Sequence, residues 1–79
     1  MSSIIVINAL AITATATDVT EQQVQGIESA IKRVALRADK SATVRGINRY
    51  RAIEEAVSAL VGFGNKVHGA RVSVSFAKA

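Results

Sequence analysis

The chain has 79 residues, of which 49% are hydrophobic and 20% charged, and its formal net charge is +4 with no Cys. This length predicts one small domain, and the lack of Cys excludes a core reinforced by disulfides or by a cysteine-ligated metal. No apolar run approaches the roughly 20 residues that span a membrane, so the sequence favours a soluble, cytoplasmic protein over a membrane protein.

The first predicted element is a strand over residues 3–16. Residues 4–7 are all Ile or Val, which is typical of a central strand covered on both faces. Residues 13–17 alternate Thr and Ala and either continue the strand or form a loop, with the Thr side chains on the sheet surface. No basic segment precedes the apolar run, so a signal peptide is not expected.

A helix is predicted to begin after Thr20, because Thr20 and Gln23 match a capping box and Glu21 suits the positive end of the helix dipole. Apolar residues then recur at helical spacing and predict the face that packs on the sheet: Val24, Ile27, Ile31, Val34 and Ala38. This helix is expected to end near Ala38, with Arg33 and Arg37 near its opposite face.

Residues 42–60 predict a second strand followed by a second helix. The β-branched Val44 and Ile47 favour a strand, and Gly46 interrupts a helix. Asn48 is a plausible N-cap for the helix that follows. That helix is expected to end at residues 62–65, where Gly and Asn allow the left-handed conformation.

The last predicted strand covers residues 70–76, with Val72, Val74 and Phe76 on a buried face. The predicted fold is therefore α/β (α+β), a two-layer β-α-β-α-β sandwich with both helices on one face of a small mixed sheet. Right-handed crossovers are expected to make the first two strands parallel. Because so short a chain buries little surface alone, a homodimer is expected.

Basic residues concentrate between positions 32 and 51. Seven of the ten Lys and Arg residues lie there, opposed only by Asp39. Such a concentration is typical of a surface that binds phosphates, although a solvated, solubilising face has the same composition. The candidate nucleic-acid-binding residues, centred on the predicted strand-to-helix corner, are Arg33, Arg37, Lys40, Arg45, Arg49, Tyr50 and Arg51. Tyr50 either stacks on an unpaired base or packs at the edge of the core.

The run from Arg49 to Val57, RYRAIEEAV, resembles the entrance to the second helix of the Alba-type chromatin and RNA-binding proteins. The family has Arg-Gly-Arg-Ala-Ile there, with Ala-Val one turn later. The resemblance implies a dimer that binds DNA or RNA, with Arg49 and Arg51 as a phosphate-contacting pair, and a nucleoid-associated location if the partner is DNA.

Three departures from the Alba pattern are present. Thr13–Thr17 stand where the family has paired lysines after its first strand, and Tyr50 replaces the small residue between the arginines. No returning hairpin strand follows the last predicted strand. These departures favour a relative or a convergent small version, such as one of viral origin, over a true member of the family.

Other chemistry has little support in the sequence. His68 is the single histidine, and Glu54 and Glu55 point about 100° apart on a helix, so they do not form an acid/base pair. We therefore expect no enzyme activity, no cofactor and no bound metal. The main alternative to nucleic-acid binding is a protein-interaction module, such as an inhibitor that docks on a cellular enzyme through its helices.

Overall fold

The computed structural model describes residues 2–7 and 12–76 of the chain. They form three strands and two helices in the order β1 (Ser2–Ile7), β2 (Ile12–Thr17), α1 (Glu21–Arg45), α2 (Arg49–His68) and β3 (Arg71–Phe76). The sheet has the order β1-β2-β3, and both neighbouring pairs are antiparallel. The protein is thus a small α+β fold in which two helices pack on an antiparallel sheet.

The predicted β-α-β-α-β order and the parallel pairing of the first two strands are wrong. Residues 3–16, predicted as one strand, contribute to both β1 and β2, which pair from Ser2 with Thr17 to Ile7 with Ile12. Residues 8–11 lie outside the described part of the chain. Only these residues separate the two strands, too few for the crossover that parallel strands require. β1 consequently lies at an edge of the sheet and not at its centre.

The strand predicted around Val44 is also wrong, because α1 continues through it to Arg45. Gly46 then adopts the left-handed conformation, with a φ of 68°. The Gly46 N–H donates to the Thr43 carbonyl at 3.3 Å and the Ile47 N–H to the Ala42 carbonyl at 3.0 Å, the pair of bonds of a Schellman motif. Gly46 therefore ends a helix here and does not interrupt a strand.

The start of α2 agrees with the sequence, but its end does not. Asn48 caps the helix, since its Oδ1 accepts from the Arg51 N–H at 3.1 Å. The helix passes through residues 62–65 and ends at His68, after which Gly69 has a φ of 65°. Asn65, predicted to help close the helix, instead donates from Nδ2 to the Val72 carbonyl at 2.9 Å and accepts from the Val72 N–H at 3.2 Å. Its amide thereby covers the outer edge of β3 at Val72.

The predicted end of the first helix near Ala38 is wrong, because α1 continues to Arg45. Three other local predictions are confirmed. The Thr20 hydroxyl accepts from the Gln23 N–H, and the Gln23 side chain accepts from the Thr20 N–H at 2.8 Å, which completes the capping box. β3 alternates between exposed and half-buried residues as expected. Thr13 and Thr15 are exposed on the sheet face that the helices leave uncovered.

Within residues 12–76, the buried side chains between the helices and the sheet are mostly alanine. Among the described residues, the buried hydrophobic ones are Ile12, Ala14, Ala16, Ile31, Ala35, Ala42 and Val57. Only three of these are larger than alanine, so each contributes a large share of the apolar burial. Half-buried side chains of both helices and β3 surround this cluster.

The reversal at Gly46 predicts opposite effects for two glycine-to-alanine substitutions. Gly46→Ala is expected to lower the free energy of unfolding by about 1 kcal/mol, because a Cβ disfavours the left-handed φ of 68°. Gly62→Ala is the matched control in the interior of α2, where a Cβ would meet no described atom within 4 Å beyond its chain neighbours and the nearby backbone of its own helix. It is expected to raise stability by about 0.5–1 kcal/mol. Urea unfolding followed by circular dichroism measures both. Equal effects of the two substitutions would contradict the left-handed stop.

Candidate nucleic-acid interface

The basic segment lies on a helix-to-helix corner, not on the predicted strand-to-helix corner. Three residues, 46–48, connect α1 to α2, and the two helices fold back against each other. The C-terminal half of α1 and the first turn of α2 therefore carry all the candidate residues. The structure distributes the basic candidates over three environments.

The first is an exposed face of α1, which we call the basic face: Lys32, Arg33, Arg37 and Lys40. At about 100° per residue, these four side chains fall within an arc of about 140° on the side opposite the buried Ile31, Ala35 and Ala42. All four are exposed. Within the described part of the chain, no acidic side chain pairs with any of them. The basic face thus presents four unneutralised cations over about 12 Å of helix.

The second environment is that of Arg49, which forms an ion pair between the two helices. Its Nε donates to Asp39 Oδ1 and its Nη2 to Asp39 Oδ2 at 2.9 Å, in a bidentate pair. The hydrogen bond from Arg49 lowers the pKa of Asp39 from its usual 3.8, with partial desolvation opposing it, and the same pair raises the pKa of Arg49. Arg49 therefore holds the corner together and has fewer donors left for a ligand.

The third environment, which contains Arg45 and Arg51, is an open groove of about 730 Å³ between the end of α1 and the start of α2. Arg51 Nε donates to Glu55 Oε1 at 3.2 Å, with both side chains highly exposed. Such an exposed pair, four residues apart on a helix, is weak and exchanges readily with a stronger anion. Arg45 lines the same groove and has no acidic partner within the described ranges.

Tyr50 is half-buried at the start of α2. Its ring therefore does not stand clear of the protein as a free stacking surface would. It lies between Arg49 and Arg51, whose side chains point to opposite sides of α2 because residues two apart on a helix are about 200° apart.

The sequence-based candidates omit one residue of the basic face, Lys32, and do not predict how the cations are arranged. Helical spacing continued past Ala38 would have placed Lys32, Arg33, Arg37 and Lys40 on one face. The β-branched Val44, 81% exposed and unpacked, was the misleading signal.

Other candidate sites are not formed by the part of the chain that the structure covers. No cluster of three His, Cys, Asp or Glu residues able to hold a metal ion is found within residues 2–7 and 12–76. Neither helix in these ranges has an apolar stretch of the length and hydropathy needed to cross a membrane. His68 lines an uncharged groove between the helices and β3.

Comparisons of the chain with protein-family models, with curated proteins and with solved structures find no match.

The Arg49–Asp39 pair predicts a pH-dependent contribution to stability. Because the folded pKa of Asp39 is lowered, the pair stabilises the fold above the unfolded value near 3.8, and this stabilisation is lost as the pH falls through the lowered folded pKa. Asp39→Asn is therefore expected to lower the Tm at pH 7, with the difference from the unsubstituted protein vanishing in acid. Thermal unfolding at low ionic strength measures this.

Glu55→Gln is the matched control, since it removes one carboxylate from a more exposed pair and should change the Tm less. An unchanged Tm for Asp39→Asn at neutral pH would show that the pair does not hold the corner.

Proposed function

We propose that the protein binds nucleic acid as a dimer with low sequence specificity, contacting phosphates through the basic face of α1. The observation that carries this proposal is the set of four exposed cations, Lys32, Arg33, Arg37 and Lys40, with no acidic partner among the described residues. The proposal includes no catalysis, cofactor or metal.

Unpaired cations in a row favour a polyanion over a single small anion. Arg33 and Arg37 lie one helical turn apart, about 6 Å along the axis, and Lys40 lies about 4.5 Å further. Such spacing lets successive side chains reach successive phosphates of a strand, and guanidinium groups donate to phosphate oxygens in a planar, bidentate way.

The corner groove extends this surface. Among residues 2–7 and 12–76, Arg45 has no acidic partner and Arg51 pairs only with the exposed Glu55, so both add positive potential beside the basic face. The sequence predicted Arg49 as a phosphate contact. Because it is hydrogen-bonded to Asp39, we assign it instead to positioning the corner. We infer a contact set dominated by α1 and not by the entrance to α2.

Low specificity follows from the kinds of side chain on this surface. Reading a base requires donors and acceptors held rigidly against base edges or a stacking platform. The basic face consists of long, exposed cations, and Tyr50 is half-buried. Phosphate contacts of this type position a protein on nucleic acid without reading its sequence.

The salt dependence of binding tests the proposal. The double variant Arg33→Gln/Arg37→Gln is expected to weaken binding and to reduce the slope of log K against log salt by about 1.8 on duplex DNA, or about 1.4 on single strands, because two fewer counterions are released. Electrophoretic shift or fluorescence anisotropy with single- and double-stranded DNA and RNA of scrambled sequence measures the slope.

Lys66→Gln/Arg71→Gln is the matched control. It removes the same charge from two exposed residues outside the basic face, on the last turn of α2 and the start of β3. This control should keep most of the slope. If both double variants lost the same amount of slope, binding would depend on net charge and not on the basic face. If the unsubstituted protein bound no probe at low salt, the proposal would be wrong.

The second candidate is a protein-interaction module that docks on a cellular enzyme through its helices. The observation that favours it is the uncharged groove between α1 and α2, with the exposed Phe63 on its wall. It predicts a complex whose affinity is insensitive to salt and to Arg33→Gln/Arg37→Gln. The same titrations therefore separate the two functions.

A further inference from the structure

Two large aliphatic side chains lie among the cations of the basic face. Leu36 is 49% exposed and Val44 is 81% exposed. Together with two of the cations they form a row of residues four apart on α1, in the order Lys32, Leu36, Lys40, Val44, so both lie within the arc of the basic face. Phosphate contacts along a nucleic-acid strand make no use of these two side chains, and the proposed function therefore leaves their exposure unexplained.

Charge is segregated around α1. Its three acidic residues, Glu21, Glu28 and Asp39, lie about 100–120° around the helix from Lys40, which is near the centre of the basic face. The Asp39 carboxylate is also hydrogen-bonded to Arg49. The outer side of α1 therefore combines positive charge with aliphatic side chains, and α1 places no carboxylate of its own there.

The shape of this surface suits a flat partner. It is the convex side of a 25-residue helix, opposite the residues of α1 that are buried in the core. Neither the four cations nor Leu36 and Val44 line the corner groove or the uncharged groove. Single strands of nucleic acid and amphipathic peptide helices are typically held in grooves. A flat partner, in contrast, can contact every side chain from Lys32 to Val44, which span about 18 Å along the helix.

The chemistry of the side chains indicates an anionic lipid bilayer as that partner. Clusters of Lys and Arg on a helix attract anionic lipids, and their apolar stems allow the charged ends to stay at the level of the headgroups. Aliphatic side chains between such cations leave water when they enter the boundary between headgroups and acyl chains. Nucleic-acid bases stack on aromatic rings, which this side of α1 lacks. The net charge of +4 complements an anionic membrane surface.

We propose that the outer side of α1 binds the surface of an anionic lipid bilayer, with Leu36 and Val44 inserted among the headgroups and the four cations in contact with lipid phosphates and carboxylates. The helix then lies parallel to the membrane and does not cross it. This inference goes beyond the proposed function and does not rest on it, because the two aliphatic side chains carry it. The cations are common to both, so nucleic acid and vesicles compete for the protein.

Co-sedimentation of the full chain with lipid vesicles tests the inference. The chain is expected to bind vesicles of equimolar phosphatidylserine and phosphatidylcholine, and to bind vesicles of phosphatidylcholine alone at least about tenfold more weakly. Leu36→Ser/Val44→Ser is expected to weaken binding to the phosphatidylserine vesicles by about tenfold or more, because the two side chains no longer insert. The same variant should keep the salt-dependent binding of nucleic acid, and far-UV circular dichroism checks that it folds.

Phe63→Ser/Val67→Ser is the matched control. It also removes two large exposed apolar side chains, 67% and 55% exposed, but from the second half of α2 and outside the proposed contact. This control should bind the phosphatidylserine vesicles as tightly as the unsubstituted protein.

A tryptophan reporter measures insertion directly, because the chain contains no Trp. The emission of Val44→Trp is expected to shift to shorter wavelength when phosphatidylserine vesicles are added, and to be quenched by vesicles with brominated acyl chains. Phe63→Trp should show neither change.

Four results would overturn the inference. They are the absence of binding to phosphatidylserine vesicles, equal binding to vesicles of phosphatidylcholine alone, unweakened vesicle binding by Leu36→Ser/Val44→Ser, and quenching of Phe63→Trp in place of Val44→Trp. Equal losses of vesicle binding and nucleic-acid binding by Leu36→Ser/Val44→Ser would also overturn it, since they would assign both side chains to nucleic acid. Vesicle binding is measured without nucleic acid, so the two proposals can fail separately.

Discussion

The reversal of the chain at residues 46–48 is the constraint on which the rest of the structure depends. Gly46 closes α1 with left-handed geometry, and Asn48 starts α2 by accepting from its first turn. Across this three-residue connection α2 returns along α1, and Arg49 comes within reach of Asp39. Caps of this kind satisfy backbone groups that a helix end otherwise leaves without partners. The corner therefore determines where the cations at the end of α1 and the start of α2 lie.

That geometry separates cations that look equivalent in the sequence. Those on the outer face of α1 point away from the core and have no acidic neighbour in the described part of the chain, so their full charge remains available to a ligand. Arg49, three residues beyond Gly46, donates two hydrogen bonds from its guanidinium group to the Asp39 carboxylate. Proximity in sequence thus says little about function at this corner, since residues two apart on α2 point to opposite sides of that helix.

The two ends of the helical layer differ in charge. One end carries the basic face, and the other carries an uncharged groove lined in part by Gly26 and Gly64. Within residues 12–76, most of the fully buried side chains are Ala, each of which buries little area, while the larger Phe63 on the groove wall stays exposed.

The local signals in this sequence were sufficient for some elements. The capping box at Thr20, the Asn48 cap and the alternation of β3 depend on neighbours within a few residues, and all three are confirmed. The basic composition of residues 32–51 and the exposure of Arg33 and Arg37 also follow from the sequence.

Tertiary structure alone decided the topology and the partners of the cations. A β-branched residue two positions before a glycine, as Val44 is before Gly46, fits both a strand and the last turn of a helix. The helix buries Ala42 and leaves Val44 exposed, an outcome that depends on the packing of α1 against α2. Likewise, a continuous β pattern over residues 3–16 does not show where the chain reverses, because strand periodicity is the same on both sides of a turn. Sequence determines which residues can cap, pack or carry charge; the approach of segments that are distant along the chain determines which of them meet.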